Sequence, residues 1–180
     1  GFIDDDSSKI GKEVLGLKVF DRSFLEKNPN TKVLALPGSS QSYLKRKEII
    51  QGLNIPDNRF ATVVHPKASI SKCAKIGKNV LIMAGVVITS NSIIEDHVCI
   101  LPNSTVHHDT VVKKYALIGS KVVVAGNTII GENTYVGSGS NIINGVNIGT
   151  KSLIGLGSNV ISSVPEKSVF VGNPAKSITK

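Results

Sequence analysis

Tryptophan is absent from this 180-residue chain, aromatic residues reach only 4%, and there are two cysteines. Cys73 and Cys99 lie 26 positions apart with no CxxC partner. That excludes a disulfide scaffold and a cysteine zinc site, and it suits a reducing compartment, so the expected location is cytoplasmic. Long hydrophobic runs are missing too. No apolar stretch reaches the ~20 residues of a membrane helix, and no signal-peptide pattern opens the chain, so no membrane insertion is expected. Charged residues make up 19%, too few for a coiled coil, and apolar residues 41%, too many for a disordered tail. No Lys/Arg-rich block interleaves with aromatics, which weighs against a nucleic-acid partner.

What the chain has is Ile and Val, which together supply 42 residues or 23%. Such β-branched excess with so few aromatics points to strands packed repetitively. The formal charge of +8 favours anionic partners such as nucleotides or coenzyme A.

The Ile and Val residues are periodic. Stepping by six from Val64 to Val160 meets seventeen positions, and every one is Ile or Val. Chance gives that on the order of 10⁻¹¹ before any choice of frame. Four residues later, from Ala68 to Val164, only Ala, Ser, Thr or Val occurs. Gly follows the Ile/Val in six hexads (Gly77, Gly119, Gly131, Gly137, Gly149 and Gly155), where a turn is expected to need a permissive backbone.

A helix of period 3.6 would spread these residues around its circumference. A three-sided solenoid fits instead. Each hexad supplies a short strand and a corner, three hexads make a coil of eighteen, and coils stack in parallel about ~4.8 Å apart. Ile/Val then faces inward and the small residue fills a tight corner. The pattern resembles that of the hexapeptide-repeat acyltransferases. The handedness of the expected left-handed parallel β-helix comes from that resemblance, against the usual right-handed crossover rule.

Residues 1 to about 60 fall outside the repeat. Phe2-Ile3 before Asp4-Asp5-Asp6 reads as a strand end, and Val33 to Leu36 as a second strand broken by Pro37-Gly38. Ser42 to Leu53 reads as a helix with Ile49, Ile50 and Leu53 on one side and Lys45, Arg46 and Lys47 elsewhere. Together they suggest a small α/β unit whose opening strand and helix would lie upstream of Gly1. The tail from Val164 to Lys176 reads as a cap on an open sheet edge.

Four histidines are present, at positions 65, 97, 107 and 108. Within an eighteen-residue coil no two share a column, so they offer no matched zinc-ligand set and no metal is expected. His107-His108-Asp109 is the one cluster of catalytic composition. A neutral imidazole can take a proton from an attacking amine or hydroxyl, and a carboxylate can fix its tautomer. A solvated polar corner is the bland alternative. Stacking sharpens the choice, because the column of His108 runs Lys72, Ser90, His108, Gly126, Asn144, Ser162. Gly126 carries no side chain to block a ligand, and its amide could serve a thioester oxygen.

At this point the sequence resembles one family closely. Phe2 to Asp6, Val106 to Asp109, Ala125 to Asn127 and the ending Val-Gly-Asn-Pro-Ala-Lys are similar to the bacterial sialic acid O-acetyltransferase and UDP-4-amino-sugar (bacillosamine, perosamine) N-acetyltransferase family. The resemblance implies a partial Rossmann-like sugar-nucleotide domain over 1–58 and a left-handed β-helix acyltransferase domain with its cap over 59–180. It further implies a homotrimer with active sites between subunits. Acetyl-CoA would be the cosubstrate, without metal, and a nucleotide-linked amino sugar for surface glycan the acceptor.

Carried over by residue, the resemblance makes His108 the general base, Asp109 its acidic partner and Gly126 the thioester-facing amide. It assigns coenzyme binding to Gly126, Ser138, Asn144, Leu156 and Leu117, and acceptor binding to Asp4, Asp5 and Gly38. Ser138 and Leu156 stack on a different face from His108, so one subunit's base is expected to meet a neighbour's coenzyme. Leu117 and Leu101 stand where many members have a second histidine and an asparagine, so contacts there must differ. Two alternatives stay open: O-acetylation of a sialic-acid-like sugar, and a non-catalytic β-helix that binds sugar nucleotides or acts as a scaffold.

Overall fold

The computed structural model describes residues 1–178. From Val63 onward the hexads become seventeen two-residue strands, β4 (Val63–Val64) to β20 (Asn159–Val160), starting at six-residue intervals. The strands from β4 to β17 (Asn141–Ile142) each pair in parallel with the strand eighteen residues on, as in Cys99↔Leu117 and Ile100↔Ile118. The chain is therefore wound into three-sided coils, a β-helix with three parallel sheets. The first face collects the strands starting at 63, 81, 99, 117, 135 and 153. The second begins at 69 and the third at 75, each continuing by eighteens.

The second residue of each strand supplies the core. Ile82, Ile100, Ile118, Val136 and Ile154 form one fully buried inward column, and the other faces contribute matching columns. Each such side chain stabilises the fold by roughly 1.5–3 kcal/mol through burial. From Val80 onward the small residue of each hexad is buried as well, and where it is Ser or Thr its hydroxyl finds a partner. Ser104 Oγ donates to Gly119 O at 2.7 Å, Ser140 Oγ to Gly155 O at 2.8 Å and Thr110 Oγ1 to Ala125 O at 3.1 Å. Each bond reaches fifteen residues on, into the next coil, so the hydroxyl ties coils together instead of lying unsatisfied.

The glycines that follow Ile/Val have a different reason from the one expected. None of the six has positive φ. Space is what they need. A Cβ at Gly131 would lie 2.5 Å from Thr150 N, and one at Gly137 2.7 Å from Leu156 N, both backbone atoms of the next coil. Positive φ occurs two residues later, at Asn79, Asn91, Asn103, Asp109, Asn127, Asn133, Gly139 and Gly145 among others. Asn, Asp and Gly are the residues that tolerate this region.

Residues before the prism form a lobe. β1 (Phe2–Ile3) pairs in parallel with β3 (Leu17–Phe20), and β2 (Glu13–Val14) joins β3 antiparallel. α1 spans Ser23–Lys27, and α2 spans Arg46–Gln51 behind a single 3₁₀ turn at 43–45, shorter than the helix expected over 42–53. The strand expected at 33–36 reduces to one bridge, Val33↔Phe60. Its backbone bonds elsewhere: Ala35 N–H donates to Asn79 Oδ1 at 2.7 Å, and Asn79 Nδ2 donates to Ala35 O at 2.9 Å.

The lobe docks on the corner between the third and first faces. Arg46, read from the sequence as lying away from the apolar side of its helix, is only 1% exposed. Its guanidinium donates to Tyr115 O at 3.0 Å, to His97 O at 2.8 Å and to Pro37 O. The His97 ring stacks on Tyr115 with centroids 4.7 Å apart, and Phe60 meets it edge-on at 5.1 Å. At the far end β21 (Val169–Val171) pairs with the first face, β22 (Lys176–Ser177) turns back on it antiparallel, and buried Ala175 closes the core. Among the described residues no helix is long and apolar enough to cross a membrane.

Two outcomes follow from this packing. Gly131→Ala forces neighbouring coils apart, and an overpacking cost of about 1–3 kcal/mol is expected in chemical denaturation. Burial lowers the pKa of His97 from its ordinary 6.5, against the opposing pull of Asp96 and Asp57. The folded state therefore favours neutral His97, and its contribution to stability, complete above 6.5, is lost as pH falls from there through the lower folded value. Thermal stability should drop across that window, and less steeply in His97→Asn, which keeps the left-handed backbone.

Candidate active site

The corner between the second and third faces carries the His-Asp cluster. In the third coil this corner is the turn 107–110, and its shape is set by the coils around it. Asp109 has φ 57 and its N–H donates to Ser90 O at 3.0 Å, while Asn127 N–H donates to His108 O at 3.0 Å. The backbone on both sides of the imidazole is therefore fixed from below and above.

His108 and Asp109 project to solvent, with side chains 53% and 45% exposed. His108 Nδ1 lies 2.8 Å from Asp109 Oδ2. An ionised carboxylate only accepts, so the neutral imidazole holds its proton on Nδ1 and presents the Nε2 lone pair. Asp109 stays below the usual carboxylate range because His108, and then Asn91, hydrogen-bond to it. Asn91 Nδ2 donates to the other oxygen, Oδ1, at 3.1 Å.

Gly126 lies one coil beyond. A Cβ there would sit 2.7 Å from both Nε2 and Cε1 of His108, so the imidazole occupies the space that any other residue would fill. Among the described residues no partner within the chain engages the Gly126 N–H. A basic nitrogen against bare backbone with a free donor is a fitting arrangement for a carbonyl whose oxygen becomes negative. Asn144, next in the column, is exposed.

Ser138 and Leu156 lie at the corner between the first and second faces. Ser138 Oγ accepts from Ser120 N–H at 3.0 Å, and Leu156 is 73% exposed. Within one chain, then, they do not join His108. Leu117, which the resemblance assigns to the coenzyme set, points outward on the first face and is 6% exposed. It stands between Cys99, which feels the charge of Arg46, and Tyr135, whose ring is 6.0 Å from Tyr43, so it belongs to the face that the lobe covers.

Asp4 and Asp5 line a groove of about 900 Å³ in the lobe, among Phe2, Ile3, Phe24 and Leu34. Asp5 grips Arg22 through both oxygens, at 2.6 and 2.5 Å. Asp4 accepts the Asp6 N–H at 3.0 Å and Lys9 Nζ at 2.9 Å, which together hold it below the ordinary carboxylate range. Gly38 is elsewhere: with φ 115 it abuts Arg46, where a Cβ would lie 2.7 Å from Cγ, so it serves the buried arginine. Among the described residues no three His, Cys, Asp or Glu side chains gather as a metal-binding group.

No protein-family model and no curated protein matches the sequence. Solved structures do match. PerB from Caulobacter crescentus, in complex with CoA and GDP-perosamine, is 26% identical over 92% of this chain and 81% of its own, with a TM-score of 0.83. The acetyltransferase domain of PglB from Neisseria gonorrhoeae, in complex with acetyl coenzyme A, is 26% identical over 98% of this chain and 85% of its own, with a TM-score of 0.85. WeeI from Acinetobacter baumannii is 25% identical over 98% and 84%, with a TM-score of 0.82. The lobe is included in these matches, and the chain as a whole resembles the hexapeptide-repeat sugar acetyltransferases.

Proposed function

We propose that the protein is an acetyl-CoA-dependent N-acetyltransferase acting on the amine of a nucleotide-linked amino sugar for surface glycan. The observation that carries this reading is the Asp109-held imidazole of His108 with Nε2 against the bare backbone of Gly126. The likeness to PerB and to the PglB domain supports the cosubstrate and the acceptor class.

In this reading His108 Nε2 takes a proton from the sugar amine as its nitrogen bonds to the thioester carbonyl carbon. The Gly126 N–H donates to the carbonyl oxygen as it gains charge. Asp109 holds the resulting imidazolium, which returns the proton to the departing sulfur. Proton count and leaving group balance without a metal. Ser138, Leu156 and Asn144 are proposed to contact the coenzyme from a neighbouring chain of a homotrimer. Asp4 and Asp5 are proposed to meet the acceptor's nucleotide in a lobe that is a partial Rossmann-like domain over 1–58. The β-helix over 59–180 is taken as left-handed, and the enzyme as cytoplasmic.

The test is free-thiol release from acetyl-CoA with UDP-, GDP- and dTDP-linked 4-amino sugars, and with free or CMP-linked sialic acid. Turnover on an amino sugar is expected. Turnover on sialic acid alone would move the activity to O-acetylation, and acetyl-CoA binding without turnover on any acceptor would leave a binding module. His108→Ala is expected to lower kcat by roughly 10²–10⁴, with coenzyme affinity and oligomeric state retained, and Asp109→Asn to lower it less. In Gly126→Ala the methyl group displaces the imidazole. Turnover should fall while the melting temperature changes little, and a crystal structure should find the His108–Asp109 bond broken.

A further inference from the structure

We infer that Asn91 is a positioning residue for acetyl transfer, orienting the Asp109 carboxylate so that one oxygen is committed to His108. Asp109 has two carboxylate oxygens and a side chain nearly half exposed to water. One oxygen, Oδ2, receives His108 Nδ1 at 2.8 Å, and the other, Oδ1, receives Asn91 Nδ2 at 3.1 Å. With both oxygens engaged the carboxylate is held in one rotamer, and the imidazole with it.

The geometry follows from the coil. Asn91 is eighteen residues before Asp109, so it occupies the same place in the turn one coil below, and both residues have left-handed backbone, φ 59 and φ 57. The turns are joined by Asp109 N–H to Ser90 O at 3.0 Å. Asn127, one coil above, has the same residue type at the same turn position, yet it engages this turn through its backbone, donating to His108 O. An asparagine at this position has a generic reason, since it tolerates positive φ. The bond from its side chain to the carboxylate is a further property, and Asn91 is the second contributor to the lowered pKa of Asp109, after His108.

The catalytic consequence rests on the acetyltransferase reading, whereas the orientation of the ring does not. Two variants separate positioning from backbone tolerance. Asn91→Gly keeps the left-handed turn and removes the donor. Asn91→Asp keeps the turn and the shape but sets a carboxylate against a carboxylate. With ¹⁵N-labelled histidine at about pH 8, wild-type His108 should report one neutral tautomer protonated on Nδ1, and both variants a mixture of tautomers. With the acceptor that turns over best, kcat should fall about tenfold in Asn91→Gly and further in Asn91→Asp, while KM for acetyl-CoA stays within about twofold. Wild-type tautomer and kcat in both variants would overturn the proposal and leave the acetyltransferase reading intact. A tautomer shift in a protein whose wild type transfers no acetyl group would support the positioning role and remove only the catalytic reading.

Discussion

Everything in the prism depends on one spacing. Parallel strands approach to about 4.8 Å, and the coil length of eighteen brings each residue over its counterpart at that distance. Where the approach is closest, even a methyl group is too much, which is why a Cβ at Gly119 would lie 2.5 Å from Ser138 N. The same spacing turns single residues into columns. A residue therefore meets the one eighteen positions away, as Asn91 meets Asp109 and Gly126 meets His108. The cluster at 107–109 acquires chemistry because the coils above and below hold it still.

The corner under the lobe departs from the usual turn chemistry. At the turn position where Asn, Asp and Gly predominate, this corner has His97, Tyr115 and Lys151 beside Asn79 and Asn133, the three with φ of 64, 63 and 59. A left-handed conformation costs such residues roughly 1–2 kcal/mol each. The lobe offsets that cost by using the same groups. The rings of His97 and Tyr115 stack, Arg46 binds the carbonyls of both, and Tyr43 donates to Lys151 O at 3.2 Å. Desolvation of Arg46 is expensive by itself and lowers its pKa. Three carbonyl acceptors make it a clamp between lobe and prism instead of an unpaired charge.

The hexads were legible because one inward residue in every six has a single job, and Ile or Val does it in all seventeen. Column membership follows by arithmetic, and that arithmetic alone sets His108 against Gly126. The lobe was less legible, since its contacts obey no period. Arg46 looks like a surface residue in the sequence, and nothing local says that its partners are carbonyls 51 and 69 residues away. Val33 to Leu36 has strand composition, but its backbone is satisfied by the side chain of Asn79, a partner that strand propensity does not anticipate. The glycines were found for the wrong reason, because sequence alone does not separate a need for positive φ from a need for empty space. Asn91 did leave a signal: it stands eighteen before Asp109, and the column arithmetic that exposed Gly126, applied to Asp109, exposes it too.

The proposed division of the site between two chains has a physical argument in the outer faces. The first face is covered by the lobe, with Cys99 and Leu117 buried. The second and third faces, which meet at the His108 corner, keep apolar side chains in water: Val87 and Val123 on one, Ile93 and Ile129 on the other. Further along the same columns the outward residues become Asn141, Asn159 and Asn147. The outward strand positions are therefore apolar and uncovered on the coils flanking His108 and give way to amides beyond them. A neighbouring prism seated there would bury that surface and bring its own first corner, bearing Ser138 and Leu156, toward an imidazole that a single chain leaves open to solvent. Association and the completion of the site would then be the same event, driven by burial of those four aliphatic side chains and their symmetry mates.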